Sequence, residues 1–188
     1  MGLEYQTCIV DLTKGEQNLP GFAALNPNKR MPVLEDGDFV LWESNAILQY
    51  LASKKPESGL LPLDARQRAL VTQWQCWDLA HWDPACATLL FERVVKKVFS
   101  MGEPDASEIA KGEERFHRCA EVLDAHLRGR RYIVGNALTV ADFSVGAPLN
   151  VAVPAQLPLA KYAEIRRWHA DLCELPAWKK AMAAPPGG

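Results

Sequence analysis

The alternation of apolar and polar positions divides the chain into a short β-rich front and a long helical remainder. "EYQTCIVDL", Glu4 to Leu12, closes on an apolar run that suits a buried strand. "TKGEQNLPGFAALNP" follows, and Gly15, Pro20, Gly21 and Pro27 interrupt any long helix, leaving loop and one short helix over Pro20 to Leu25. Apolar residues then flank Asp36-Gly37, a dipeptide that tolerates a tight turn. "NKRMPVLEDGDFVLW" therefore predicts a hairpin with strands over Val33 to Glu35 and Phe39 to Trp42. Behind it Ala46, Ile47, Tyr50 and Leu51 recur at helical spacing, which starts a helix at Glu43-Ser44 with Ser44 as its capping residue.

"KKPESGLLPLD" combines Pro56, Gly59 and Pro62 with charge and marks the boundary between two units. The expected division is a small α/β unit over residues 1–54, a linker over 55–64 and an all-helical unit over 65–188. In the second unit the apolar pattern predicts helices over Asp64 to Phe99, Asp105 to Leu127, Thr139 to Val151 and Leu159 to Leu175, with a helical turn after Pro176. Pro84 should kink the first of these by removing an internal hydrogen bond. "LTVAD" carries Thr139 as N-cap and Asp142 three residues on, a capping box with Asp in the acidic position. The short "APPGG" tail is expected to fray.

Composition narrows the function classes. The 188 residues are 48% hydrophobic and carry a formal charge of −2, so a buried core is affordable and no general basic field draws nucleic acid or an anionic membrane. The five cysteines are odd in number, widely spaced and free of any C-x-x-C, which fits free thiols in a reducing cytosol. No apolar run is long enough to span a bilayer, and Gln6 stands where a myristoylation signal at Gly2 needs Ser or Thr. The histidines have no metal-ligand spacing, so no metal is expected.

One residue conflicts with a purely structural hairpin. Pro32 has no N–H to give a ladder and stands at the entrance to the first strand. "LNPNKRMPVLEDGDFVLWESNAILQYL" (Leu25 to Leu51), with "LTVAD" and "LPAW", resembles the cytosolic glutathione transferases. The specific part is N-P-x-x-x-x-P-V-L-x-D-G followed by E-S-x-A-I-x-x-Y-L. The resemblance implies a thioredoxin-like glutathione-binding unit followed by a helical unit that shapes the second-substrate pocket. It also implies a cis Met31-Pro32 bond, with the Met31 main chain offered to the cysteinyl part of glutathione. Glu43 would take the α-amino group, and Ser44 with the helix N-terminus the γ-glutamyl carboxylate. Lys29 and Arg30 stand where a side chain reaches the glycine carboxylate or the cysteinyl part, and plain surface charge is an equal reading of each. Gln17 matches a position often occupied by His.

The activity implied is conjugation of the glutathione thiolate to a hydrophobic electrophile, by a cytoplasmic homodimer with glutathione as co-substrate. A non-catalytic scaffold of the same fold and a glutathione-dependent disulfide reductase are the alternatives. "MGLEYQT" resembles the end of the family's first helix and the entry to its second strand. The residue that activates the thiol is therefore expected upstream of Met1, with Tyr5 and Cys8 as its nearest substitutes in the chain. A sheet without the family's central strand would be completed by a partner chain or by "EYQTCIVDL" pairing directly with the cis-proline strand. Trp74, Trp77 and His81, with Phe91 and Val95, fall on one helical stripe that suits an apolar electrophile, although core packing or a dimer contact is the preferred use.

Overall fold

The computed structural model describes residues 1–183; the tail expected to fray lies outside them. Its elements are α1 (Pro20–Leu25), β1 (Val33–Asp36), β2 (Phe39–Trp42), α2 (Ser44–Lys54), α3 (Ala65–Trp77), α4 (Asp83–Leu90), α5 (Lys96–Val98), α6 (Ala106–Leu127), α7 (Val140–Gly146), α8 (Ala163–Cys173) and α9 (Pro176–Ala183). A thioredoxin-like front with a small antiparallel sheet thus precedes a helical bundle.

The hairpin forms where the turn residues place it. β1 and β2 pair antiparallel from Val33 opposite Trp42 to Asp36 opposite Phe39, and Gly37 turns the chain at φ 67°. Among the described residues these are the only two strands. Glu4 to Leu12, expected as a strand, instead runs irregularly with most side chains exposed and ends in a 3-10 turn over Leu12–Lys14. Apolar patterning alone does not make a strand, because each residue's N–H and C=O need a neighbouring ladder. Nor does the segment pair with β1.

Helix α2 carries the hairpin. Tyr50 Oη donates to Asp36 Oδ2 at 2.7 Å, the Lys54 ammonium pairs with the same oxygen, and the Phe39 and Tyr50 rings lie 5.2 Å apart. The hydrogen bond from Lys54, then that from Tyr50, holds the Asp36 carboxyl below its ordinary value. The proposed linker is not slack: Leu61 is buried in the helical core and the Leu60 carbonyl accepts from Val140 N at 2.9 Å.

The core lies in the helical unit, where Trp82, Leu89, Phe116, Leu123, Val140, Ile165 and Trp168 are fully enclosed. Where one long helix kinked at Pro84 was expected, α3, α4 and α5 are joined by π-turns at Asp78–Trp82 and Phe91–Val95. Pro84 sits in the first turn of α4, just after the wider turn, where its ring and missing N–H are best tolerated. Helix α8 begins at Ala163, four residues after Leu159, because its first N–H groups are capped from α6. Asp124 Oδ1 accepts from Glu164 N at 2.9 Å and Ile165 N at 3.2 Å. The capping box forms as the sequence indicates.

Gly146 marks the tightest helix contact. A Cβ there would stand 2.8 Å from Leu172 Cδ1 and 3.0 Å from the Trp178 ring. Gly146→Val should therefore lower stability by about 1–3 kcal/mol through overpacking, measured as a fall in urea midpoint at unchanged m-value.

Candidate functional site

The hairpin register assembles the candidate residues. Val33 and Trp42 face each other across the ladder, so Met31-Pro32, which enters β1, and Glu43-Ser44, which follows β2, meet at the same end of the hairpin. The Met31-Pro32 bond is cis, as expected from the sequence. Met31 is 42% exposed, and among the described residues nothing takes up its main-chain N–H or C=O.

The loop that delivers this bond is tied by Asn26, a residue to which the sequence reading gave no role. Asn26 is 3% exposed; its Nδ2 donates to the Arg30 carbonyl at 2.7 Å, and its Oδ1 accepts from Asn28 N at 3.0 Å. The Lys29 N–H returns to the Asn26 carbonyl at 2.9 Å, with Lys29 at φ 55°. An Asn at the head of a Pro-containing loop is the sequence signal for such a knot. Lys29 and Arg30 are exposed and make no ion pair among the described residues.

Glu43, rather than Ser44, is the N-cap of α2, and it is strained. Its φ of 74° and ψ of 115° lie outside the regions a side-chain-bearing residue ordinarily occupies, at a cost of about 1–3 kcal/mol. Its carbonyl accepts from Ile47 N at 3.0 Å, while its side chain is exposed and caps nothing. Ser44 is the first helical residue, also exposed, so its hydroxyl and the free N–H groups of α2 share one surface. Carboxylate, hydroxyl and helix N-terminus together suit a ligand bearing an ammonium and a carboxylate side by side.

Beneath Ser44 the helix is anchored by neutral polar groups. Asn45 Oδ1 accepts from Ser144 Oγ at 2.5 Å, Asn45 Nδ2 donates to the Gln75 carbonyl at 3.2 Å, and Gln49 Nε2 donates to Gln75 Oε1 at 2.6 Å. These bonds join α2 to α3 and α7. Sequence patterning missed them because Asn45 lies 30 and 99 residues from its partners.

Other candidates fall elsewhere. Gln17 sits in a 3-10 turn over Glu16–Asn18, with its side-chain oxygen buried and without a hydrogen-bond partner among the described residues. Tyr5 is 77% exposed and Cys8 is exposed. The Trp74, Trp77, His81 stripe does not form one wall: Trp74 is buried, packing on Trp77 at 5.0 Å and His126 at 4.5 Å, whereas His81 is exposed. The π-turn inserts a residue between them, so an i, i+7 spacing no longer returns to the same face. Phe91 is exposed and Val95 half-buried, on the second π-turn. All five cysteines are free, and no described helix is long and apolar enough to cross a membrane.

Comparison with known proteins identifies the family and the fold. Residues 1–53 match the glutathione S-transferase N-terminal domain and residues 81–176 the glutathione S-transferase C-terminal domain. Glutathione S-transferase 3 of Zea mays is 35% identical over 191 residues, covering 98% of this chain and 85% of the maize protein. The structure of glutathione S-transferase-I bound with lactoylglutathione superposes with a TM-score of 0.86 at 27% identity, covering 97% of this chain and 88% of that one. A Pseudomonas putida glutathione transferase with one glutathione disulfide bound per subunit gives 0.87 at 26% identity, covering 98% and 82%. Both domain matches and the identity to the maize protein show that the chain belongs to the glutathione S-transferase family.

Proposed function

We propose that the protein is a glutathione transferase that binds glutathione at the open end of the hairpin and joins its thiolate to a hydrophobic electrophile. The reading is carried by Glu43, held at φ 74° and ψ 115° beside the free N-terminus of α2 and the exposed main chain of Met31. Glu43 takes the α-amino group, Ser44 and the helix N–H groups take the γ-glutamyl carboxylate, and the Met31 main chain pairs with the cysteinyl segment like a short added strand. Pro32 shapes that segment, and Lys29 and Arg30 supply cations for the glycine carboxylate. In the conjugation the thiol proton passes to solvent, the sulfur forms a bond to the electrophilic carbon, and a leaving group such as halide departs with the bonding pair.

Residues 1–54 serve as the glutathione unit in this reading, 55–64 as the connection and the remainder as the unit that shapes the electrophile's site. The protein works in the cytosol as a homodimer, and the dimer is supported by apolar side chains left exposed on the hairpin (Phe39, Val40, Trp42), on α3 (Leu70) and on the first π-turn (Leu79).

Titration calorimetry with glutathione tests the site. Each charge-assisted bond is worth about 1.5–3 kcal/mol, so Glu43→Gln and Ser44→Ala should each weaken binding about 10- to 100-fold. Conjugation of a generic aryl halide should fall in parallel. Unchanged affinity in the double variant would overturn the assignment.

A further inference from the structure

Asn26 closes α1 and opens the loop that carries Lys29, Arg30 and Met31 to the hairpin. Its own N–H donates to the Phe22 carbonyl of α1 at 2.9 Å, so its main chain is fixed to a helix. The residue is 3% exposed, and both ends of its amide are used. Oδ1 accepts from Asn28 N at 3.0 Å and from Asn28 Nδ2 at 3.2 Å, while Nδ2 donates to the Arg30 carbonyl at 2.7 Å. Two donors at one end and an acceptor at the other allow only this orientation of the amide.

The Arg30 carbonyl and the Met31 N–H belong to one peptide unit. That unit is trans and planar, so the two groups point in opposite directions. The bond from Asn26 to Arg30 O thereby sets where the Met31 N–H points, and this N–H has no acceptor among the described residues.

The loop does not hold the peptide unaided. Lys29 stands at φ 55°, a region that a residue with a side chain enters at a cost and keeps only when its surroundings hold it there. The tie that holds it, from Lys29 N–H to the Asn26 carbonyl at 2.9 Å, runs to the same residue.

We propose that Asn26 is a positioning residue for glutathione: by holding the Arg30 carbonyl it aims the Met31 N–H at the cysteinyl carbonyl of the ligand. This role rests on the glutathione-binding reading above. A donor already aimed gives its bond with little ordering cost at the moment of binding. Released, the peptide plane turns and water takes up the N–H. The loss falls on that one contact, and not on those of Glu43 and Ser44 at the helix entry.

Titrations followed by 15N NMR at neutral pH read both the Met31 amide and the affinity. The ligands are S-methylglutathione and its analogue in which an (E)-alkene replaces the Cys–Gly amide, so that no cysteinyl carbonyl is left to accept. Asn26→Ala should move the Met31 amide resonance of the unliganded protein and weaken S-methylglutathione about tenfold, yet weaken the alkene analogue less than about twofold. Asn26→Asp keeps the acceptor for Asn28 but sets an oxygen against the Arg30 carbonyl. It should lose at least as much affinity, with the same split between ligands, and it carries the test should Asn26→Ala not fold. An equal loss for both ligands would make Asn26 a purely structural residue and overturn the role. So would affinity for S-methylglutathione within about twofold of wild type in either variant. No binding of S-methylglutathione to the wild type overturns the glutathione reading together with this role, and is recognisable because the Met31 resonance still moves on substitution.

Discussion

Asp142→Ala should leave the protein barely folded, with a loss of about 4 kcal/mol or more against a total of about 5–15 for a domain of this kind. Asp142 is fully buried, and its two oxygens accept four bonds from three parts of the helical unit. Oδ1 takes Ile133 N at 2.9 Å and Trp168 Nε1 at 3.0 Å; Oδ2 takes Thr139 N at 2.9 Å and Thr139 Oγ1 at 3.2 Å. Burial still pushes the carboxyl above its ordinary value, so desolvation outweighs these donors in setting its proton affinity. Truncation strands buried donors at about 1–3 kcal/mol each. Asp142→Asn separates shape from chemistry: whichever end carries the new NH2 faces two donors, so the amide should be nearly as damaging. Urea unfolding followed by far-UV circular dichroism measures both variants, and a loss below about 1 kcal/mol in either would contradict this account.

Asp78→Asn should act in the opposite direction, and only at high pH. Burial first, then repulsion from Asp83, makes the folded protein bind the Asp78 proton more tightly than the unfolded chain, with the folded value raised from 3.8 to about 7. The charge therefore costs nothing below about pH 4, costs progressively more between 4 and 7, and costs its full amount above 7. A shift of that size corresponds to roughly 4 kcal/mol before the surroundings relax. At pH 8.5 the amide should raise stability by about 2–4 kcal/mol, or about 5–10 °C in Tm; at pH 4 it should change little. Thermal melts at the two pH values decide the matter, and an equal shift at both would mean that packing, not ionisation, is responsible.

What the sequence made legible is what local chemistry determines. Asp36-Gly37 set the hairpin, Thr139 and Asp142 the start of α7, and the spacing after Ser44 the helix α2. Met31-Pro32 and Glu43-Ser44 were likewise readable, because they lie within one contiguous motif whose register brings its ends together. The illegible parts depend on distant partners. Glu4 to Leu12 has a strand's composition but no ladder to join, and Asp124 caps α8 from 40 residues away. The π-turns, the Asn26 knot and the Asn45 network are choices of hydrogen-bond partner, and apolar periodicity carries no information about them. The charge of Glu43 is plain in the sequence, but its place at the cap position with a strained backbone is not, because both depend on where the helix begins.

Few side chains of the front unit are buried. Ile47 and Ala52 of α2 are its enclosed apolar residues, and of these only Ala52 belongs to the main core. A lone two-stranded hairpin is marginal in water, so this unit borrows its rigidity from the bundle through one helix. A loosened bundle would therefore reach the hairpin end through α2, at residues that the change itself does not touch.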